Sequence, residues 1–147
     1  MKFEKFLTGE QSDFKGRTLN HIWSYTDDEI DHIHDFIQIV FPLNEESQSS
    51  FHGYYLDHDF LIIQIRANEL AKKNIIKSAE WFLSFLERDS HWKRPYQHNH
   101  LRITRIIKCL RLLVSDKEAD KFYINVMLLL GPQNQINEIT LAFWKNA

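Results

Sequence analysis

Residues 96–114 read YQHNHLRITRIIKCLRLLV, and this stretch decides the fold. Its front end, His98-Asn99-His100, is polar. From Leu101 onward Ile103, Ile106, Ile107, Leu110, Leu113 and Val114 recur at three- and four-residue steps, the spacing of one helix face. That face predicts core. At about 100° per residue, Leu101 and Leu112 fall on the opposite side, beside Arg105 and Lys108, so the helix is apolar on more than one flank. Such a helix is expected inside its domain with other elements packed around it.

The rest of the composition fits that picture. The 147 residues are 44% hydrophobic and 26% charged, a balance that builds a continuous core without disulfide staples, and eleven Phe, five Tyr and four Trp supply its bulk. Four Gly and three Pro are too few for a loop-rich sandwich or barrel. The expected class is all-α: one domain over residues 1–147, about six or seven helices around the central one, with residues 1–16 as its irregular N-terminal arm. A net charge of −2 gives no global attraction to nucleic acid or to an anionic membrane. The longest apolar runs, 60–63 and 126–130, fall far short of the roughly twenty residues that span a bilayer. The opening MKFEKFLTGE lacks the apolar run of a secretory signal. The lone Cys109 excludes an intramolecular disulfide and suits a reducing compartment, so the expected location is cytoplasmic.

Outward from the centre, Thr18 caps a short turn through Leu19, Ile22 and Trp23. Thr26-Asp27-Asp28-Glu29 is a capping box that opens a helix running to Phe41, where Pro42 stops it. Ile30, Ile33, Phe36, Ile37, Val40 and Phe41 form its apolar arc, Asp28, Asp31, His32 and Asp35 its solvated face, and His34 and Gln38 the border between them. A loop follows from Leu43 to Tyr55. Asp57 caps a short helix over FLIIQI, a run that periodicity alone also allows as a strand. The pattern Leu70, Ile75, Ile76, Ala79, Phe82, Leu83, Leu86 predicts a helix over 69–87. Residues 88–96 connect it to the central helix. Ser115 to Glu118 forms a second capping box, Gly131-Pro132 closes that helix, and residues 137–147 give a last short one.

Chemistry-bearing motifs are sparse. Eight histidines are present, but none pair at the i, i+4 spacing of a helical zinc site, and one cysteine excludes a thiolate cluster; no metal and no cofactor is expected. Cys109 lies among leucines and isoleucines that would raise its pKa, and no GxSxG or glycine-rich phosphate loop occurs, so no catalytic residue is assigned. Arg102, Arg105, Lys108 and Arg111, with Lys93 and Arg94 upstream, could grip a phosphate backbone or pair with the acids of the 26–41 helix. The negative net charge favours pairing. Arg105 shares its face with leucines, and a half-buried guanidinium requires a carboxylate, carbonyl oxygens or an anionic ligand. Arg105 and the His34–Gln38 border strip are therefore where this chain could meet a ligand. An enzyme with His34 or His100 as general base beside Arg105, and a nucleic-acid binder using the basic face, are the alternatives.

Two long segments carry a resemblance. HDFIQIVFPL (34–43) and HNHLRITRIIKCLRLL (98–113) closely resemble the hallmark segments of the opioid growth factor receptor conserved domain, whose usual forms are HxYIQWLFPL and HNHLRITRILKSLRLLG. RTLNHIWSYTDDEI (17–30) and EITLAFWKNA (138–147) support it. The resemblance implies a non-enzymatic binding module for a peptide or small anion, with His34, Gln38, Asn99, His100, Arg102 and Arg105 as its candidate ligand-binding cluster. The animal receptor is associated with binding an enkephalin peptide and restraining growth at the nucleus, whereas compact versions like this one resemble bacterial members without an assigned role. The animal protein's repeat-bearing tail has no counterpart in these residues. This sequence departs at Ile39, where the family usually has Trp, and at Leu86-Glu87, where it tends to have Tyr-Gly. An aromatic pocket built on that Trp would be altered here.

Overall fold

The fold was taken from a computed structural model that describes residues 1–47 and 53–147. All regular structure among them is helical: α1 (Phe3–Leu7), α2 (Leu19–Trp23), α3 (Asp27–His32), α4 (Ile37–Val40), α5 (Asp59–Arg66), α6 (Glu69–Arg88), α7 (Asn99–Leu113), α8 (Asp116–Leu130) and α9 (Glu138–Asn146), with a 3-10 turn at His91–Lys93. The all-α class holds. These are nine helices rather than six or seven, because the expected 26–41 helix is two and the expected irregular arm contains α1. No helix of the described residues is long and apolar enough to cross a membrane.

The central helix is α7. It packs against α5, α6, α8 and α9, while α1 lies on α5 and α6. Ile103, Ile106, Ile107, Leu110 and Leu113 are all buried, as the periodicity requires. Leu101 is not: it is 68% exposed, so the second apolar flank of α7 is wet at its front end. Cys109 is fully buried.

Local signals set most helix starts. Thr18 accepts from the amide of His21, and Thr26 and Glu29 exchange both bonds of a capping box. Ser115 accepts from Glu118, and Gly131 closes α8 at φ 78°, a conformation that disfavours any side chain. Two details differ. Asp57 does not cap α5; His58 occupies that place without a side-chain bond. In α6, capped instead by Asn68, Leu70 is 51% exposed, and Ala71, Ser78 and Phe85 join the buried face. FLIIQI is helical. Residues 48–52, the middle of the expected 43–55 loop and including His52, lie outside the described residues; the flanks meet where the Leu56 amide donates to the Leu43 carbonyl at 2.8 Å.

The largest departure is the break between α3 and α4. Ile33 is extended, at φ −83° and ψ 126°. Residues 27–32 are amphipathic and lie at the surface, whereas FIQIVFPL, residues 36–43, is apolar on nearly every side and is buried at every position. A straight helix buries one face. To bury the second half all round, the chain changes direction between the two.

Candidate functional site

The carbonyls released by that break are taken up by side chains from distant segments. Arg102, on α7 and only 6% exposed, donates from Nη1 to the Ile30 carbonyl at 2.6 Å and from Nη2 to the Ile33 carbonyl at 2.8 Å. His98 Nε2 donates to the Asp31 carbonyl at 3.0 Å. Arg17 donates to the Asp35 carbonyl at 3.3 Å and to its carboxylate at 2.7 Å, and Lys15 also pairs with Asp35. Beyond the break, at the end of α4, Arg105 Nε donates to the Phe41 carbonyl at 2.9 Å. The last turn of a helix leaves carbonyls without partners, and charge-assisted donors satisfy them more strongly than neutral ones. The polar opening of α7 is thus a clamp on the C-terminus of α3.

Asp31 is the anionic hub of this clamp. Its Oδ1 accepts from Asn99 Nδ2 at 3.0 Å and lies 2.9 Å from His98 Nε2. Burial pushes its pKa up, but the Asn99 bond and the His98 charge outweigh that and hold the carboxyl below its ordinary range. Arg102 sits in the opposite balance: burial lowers its guanidinium to about 10, with Asp31 pulling the other way. Its guanidinium carbon also lies 5.5 Å from the Phe36 ring centre.

Beside the clamp lies a cavity of about 550 Å³. Of the six candidate residues, His34, Gln38, His100, Arg102 and Arg105 line it. Asn99 does not; it is fully buried behind them, with Oδ1 accepting from Arg102 at 3.3 Å. His34 Nδ1 lies 3.4 Å from Arg102 Nη2 and its ring meets His98 edge-on at 5.6 Å. Burial and the Arg102 charge lower the His34 pKa. His100 donates from Nε2 to the Trp92 carbonyl at 2.6 Å and packs edge-on against Trp144; burial lowers its pKa despite that bond. The remaining walls include Ile37, Leu43, Leu101 and Phe143, and the rim carries Lys108, Glu45 and Glu46, with Lys108 3.5 Å from Glu45.

Arg105 is the residue the clamp does not exhaust. Its Nε is used by Phe41, while its Nη2 is buried and has no hydrogen-bond partner among the described residues. Burial lowers its pKa, with Cys109 and Glu45 opposing. Cys109 itself is pushed up by burial to about 12, which removes it as a nucleophile. Among the described residues no three His, Cys, Asp or Glu side chains stand where they could hold a metal ion.

The basic stripe does not form one exposed face. Arg102 is buried, and Arg111 is engaged by Asp116, Asp120 and the Ala147 carbonyl. Asp31 and Asp35 are not the solvated bystanders that the periodicity suggested. The available signal was charge: a buried arginine across from an acidic segment requires a partner there. Arg17 and Phe143 carried no sequence signal of a role at this site, whereas Leu101 had one in its place beside Arg105 and Lys108 on the second apolar flank of α7.

Fold and site together define an all-α domain with an arginine-lined cavity against its central helix. The chain belongs to the opioid growth factor receptor (OGFr) conserved region family, whose model matches residues 5–147. No curated protein and no solved structure matches the chain. The family departure at Ile39 falls outside the cavity lining, on a fully buried side chain, so the cavity described here does not depend on a tryptophan there.

Proposed function

We propose that this protein is a non-enzymatic binding module whose site is the cavity beside α7, taking a small anionic ligand, with a peptide end group as a special case. One observation carries the reading: the Arg105 guanidinium lines the cavity, and among the described residues no carboxylate pairs with it, its Nε alone being held by the Phe41 carbonyl. A half-buried guanidinium without a counter-ion is costly, and an anion in the cavity offsets that cost. The family's receptor-like role and a cytoplasmic setting belong to this same reading. The enzyme alternative is less well supported, because His100 holds its Nε2 on the Trp92 carbonyl and His34 lies against Arg102.

The test is thermal unfolding at fixed ionic strength with chloride replaced by acetate, benzoate, phosphate or sulfate, in the natural protein and in Arg105→Met. Ligand binding stabilises the folded state by mass action. An upward shift with at least one anion that vanishes in the variant supports the proposal. Equal melting in every salt overturns it.

A further inference from the structure

The charges and walls of the cavity select among anions, and this inference rests on the binding reading above. Among the described residues three permanent cations line it, but two are already engaged. Arg102 holds the Ile30 and Ile33 carbonyls with its two terminal nitrogens, and Lys108 lies 3.5 Å from Glu45. A second carboxylate, Glu46, also faces the space. Arg105 therefore offers positive charge for one anionic group, in surroundings that disfavour a second. A dianionic phosphate would bring a second, uncompensated charge towards Glu46, whereas a monoanion matches the single guanidinium charge left without a counter-ion. The opposite need is apolar. Ile37 and Leu43 form buried wall, and Leu101 and Phe143, 68% and 61% exposed, line it as well. A volume of about 550 Å³ falls in the usual range for small-molecule sites and holds far more than a bare carboxylate.

We propose that the cavity binds an amphipathic monocarboxylic acid, its carboxylate on Arg105 and its apolar body between Ile37, Leu43, Leu101 and Phe143.

Isothermal calorimetry with four probes tests this: decanoate, decanol, decyl phosphate and acetate, each below its aggregation concentration. The expected order places decanoate at least about tenfold tighter than each of the others, since both the charged pair and the buried chain contribute. Arg105→Met weakens decanoate about tenfold or more and leaves decanol unchanged. Leu101→Glu, at an exposed position that leaves the fold intact, weakens decanoate while circular dichroism stays the same. Decyl phosphate binding as tightly as decanoate, or acetate matching it, overturns the ligand class but leaves an Arg105-dependent anion site standing. Decanol matching decanoate, with Arg105→Met silent on every probe, overturns both this inference and the anion reading beneath it.

Discussion

Arg102 donates from Nη2 to the carbonyl of Ile33 at 2.8 Å across 69 residues of sequence, closing the end of one helix with a side chain from another. Its second terminal nitrogen holds Ile30 in the same way. This pair of bonds fixes where α3 stops, and thereby where FIQIVFPL enters the core and which way the cavity wall faces. Arg102→Met should lower stability by about 3 kcal/mol, since it strands two carbonyls and leaves Asp31 short of a cation. Arg102→Lys should recover less than half of that, because an ammonium is a point charge and cannot reproduce the planar two-nitrogen grip. Urea unfolding of the three proteins checks both numbers.

Asp31 links the clamp to acid. Its folded-state pKa lies below the ordinary 3.8, so the folded protein binds that proton less readily than the unfolded chain does. The stability it contributes is therefore present above the unfolded value and is lost as pH falls through the lower folded value. Unfolding free energies measured from about pH 5 down to about pH 2 should fall less steeply in Asp31→Asn than in the natural protein. Parallel slopes would show that Asp31 is not one of the groups responsible.

His100 acts in the same direction at milder pH. Burial holds its pKa below 6.5, so the folded state favours the neutral ring and stability is complete above that value and declines below it. Histidine resonances followed by NMR should show His100 still neutral where the exposed His32, whose pKa is raised by the Asp28 carbonyl and carboxylate, is already charged. Simultaneous titration of the two would contradict the assignment.

Cys109 should be inert in the folded protein. With its thiol pushed to about 12 and no exposed surface, reaction with a disulfide reagent has to await unfolding. Its modification rate should rise with urea in step with the unfolding rate. A fast phase without denaturant would mean a local opening of α7.

The start of α3 should behave as a local element. Thr26→Ala removes the acceptor for the Glu29 amide at 3.2 Å, and about 1 kcal/mol of stability should go with it. Anion binding in the cavity should be unchanged, because neither residue lines it.

Local sequence determined what depends on neighbours within one or two turns. The 3.6-residue spacing of Ile103, Ile106, Ile107, Leu110 and Leu113 made α7 a buried helix. Thr18, Thr26, Ser115 and Gly131 marked helix ends because capping bonds reach only three or four residues. The HNHLRITR and HDFIQ segments gave the family, and five of the six candidate residues within them line one cavity. Tertiary structure decided the rest. Residues 26–41 satisfy a helical pattern throughout, so nothing local forbids one helix; the break exists because Arg17, Arg102 and His98, distant in sequence, supply donors for its carbonyls, and because residues 36–43 bury every side. Such a choice is made by charge-assisted bonds and solvent exclusion between segments, which appear only once the segments have met. The same holds for Arg105, whose residue type announced a need for a partner and whose surroundings alone show that Phe41 meets only part of it.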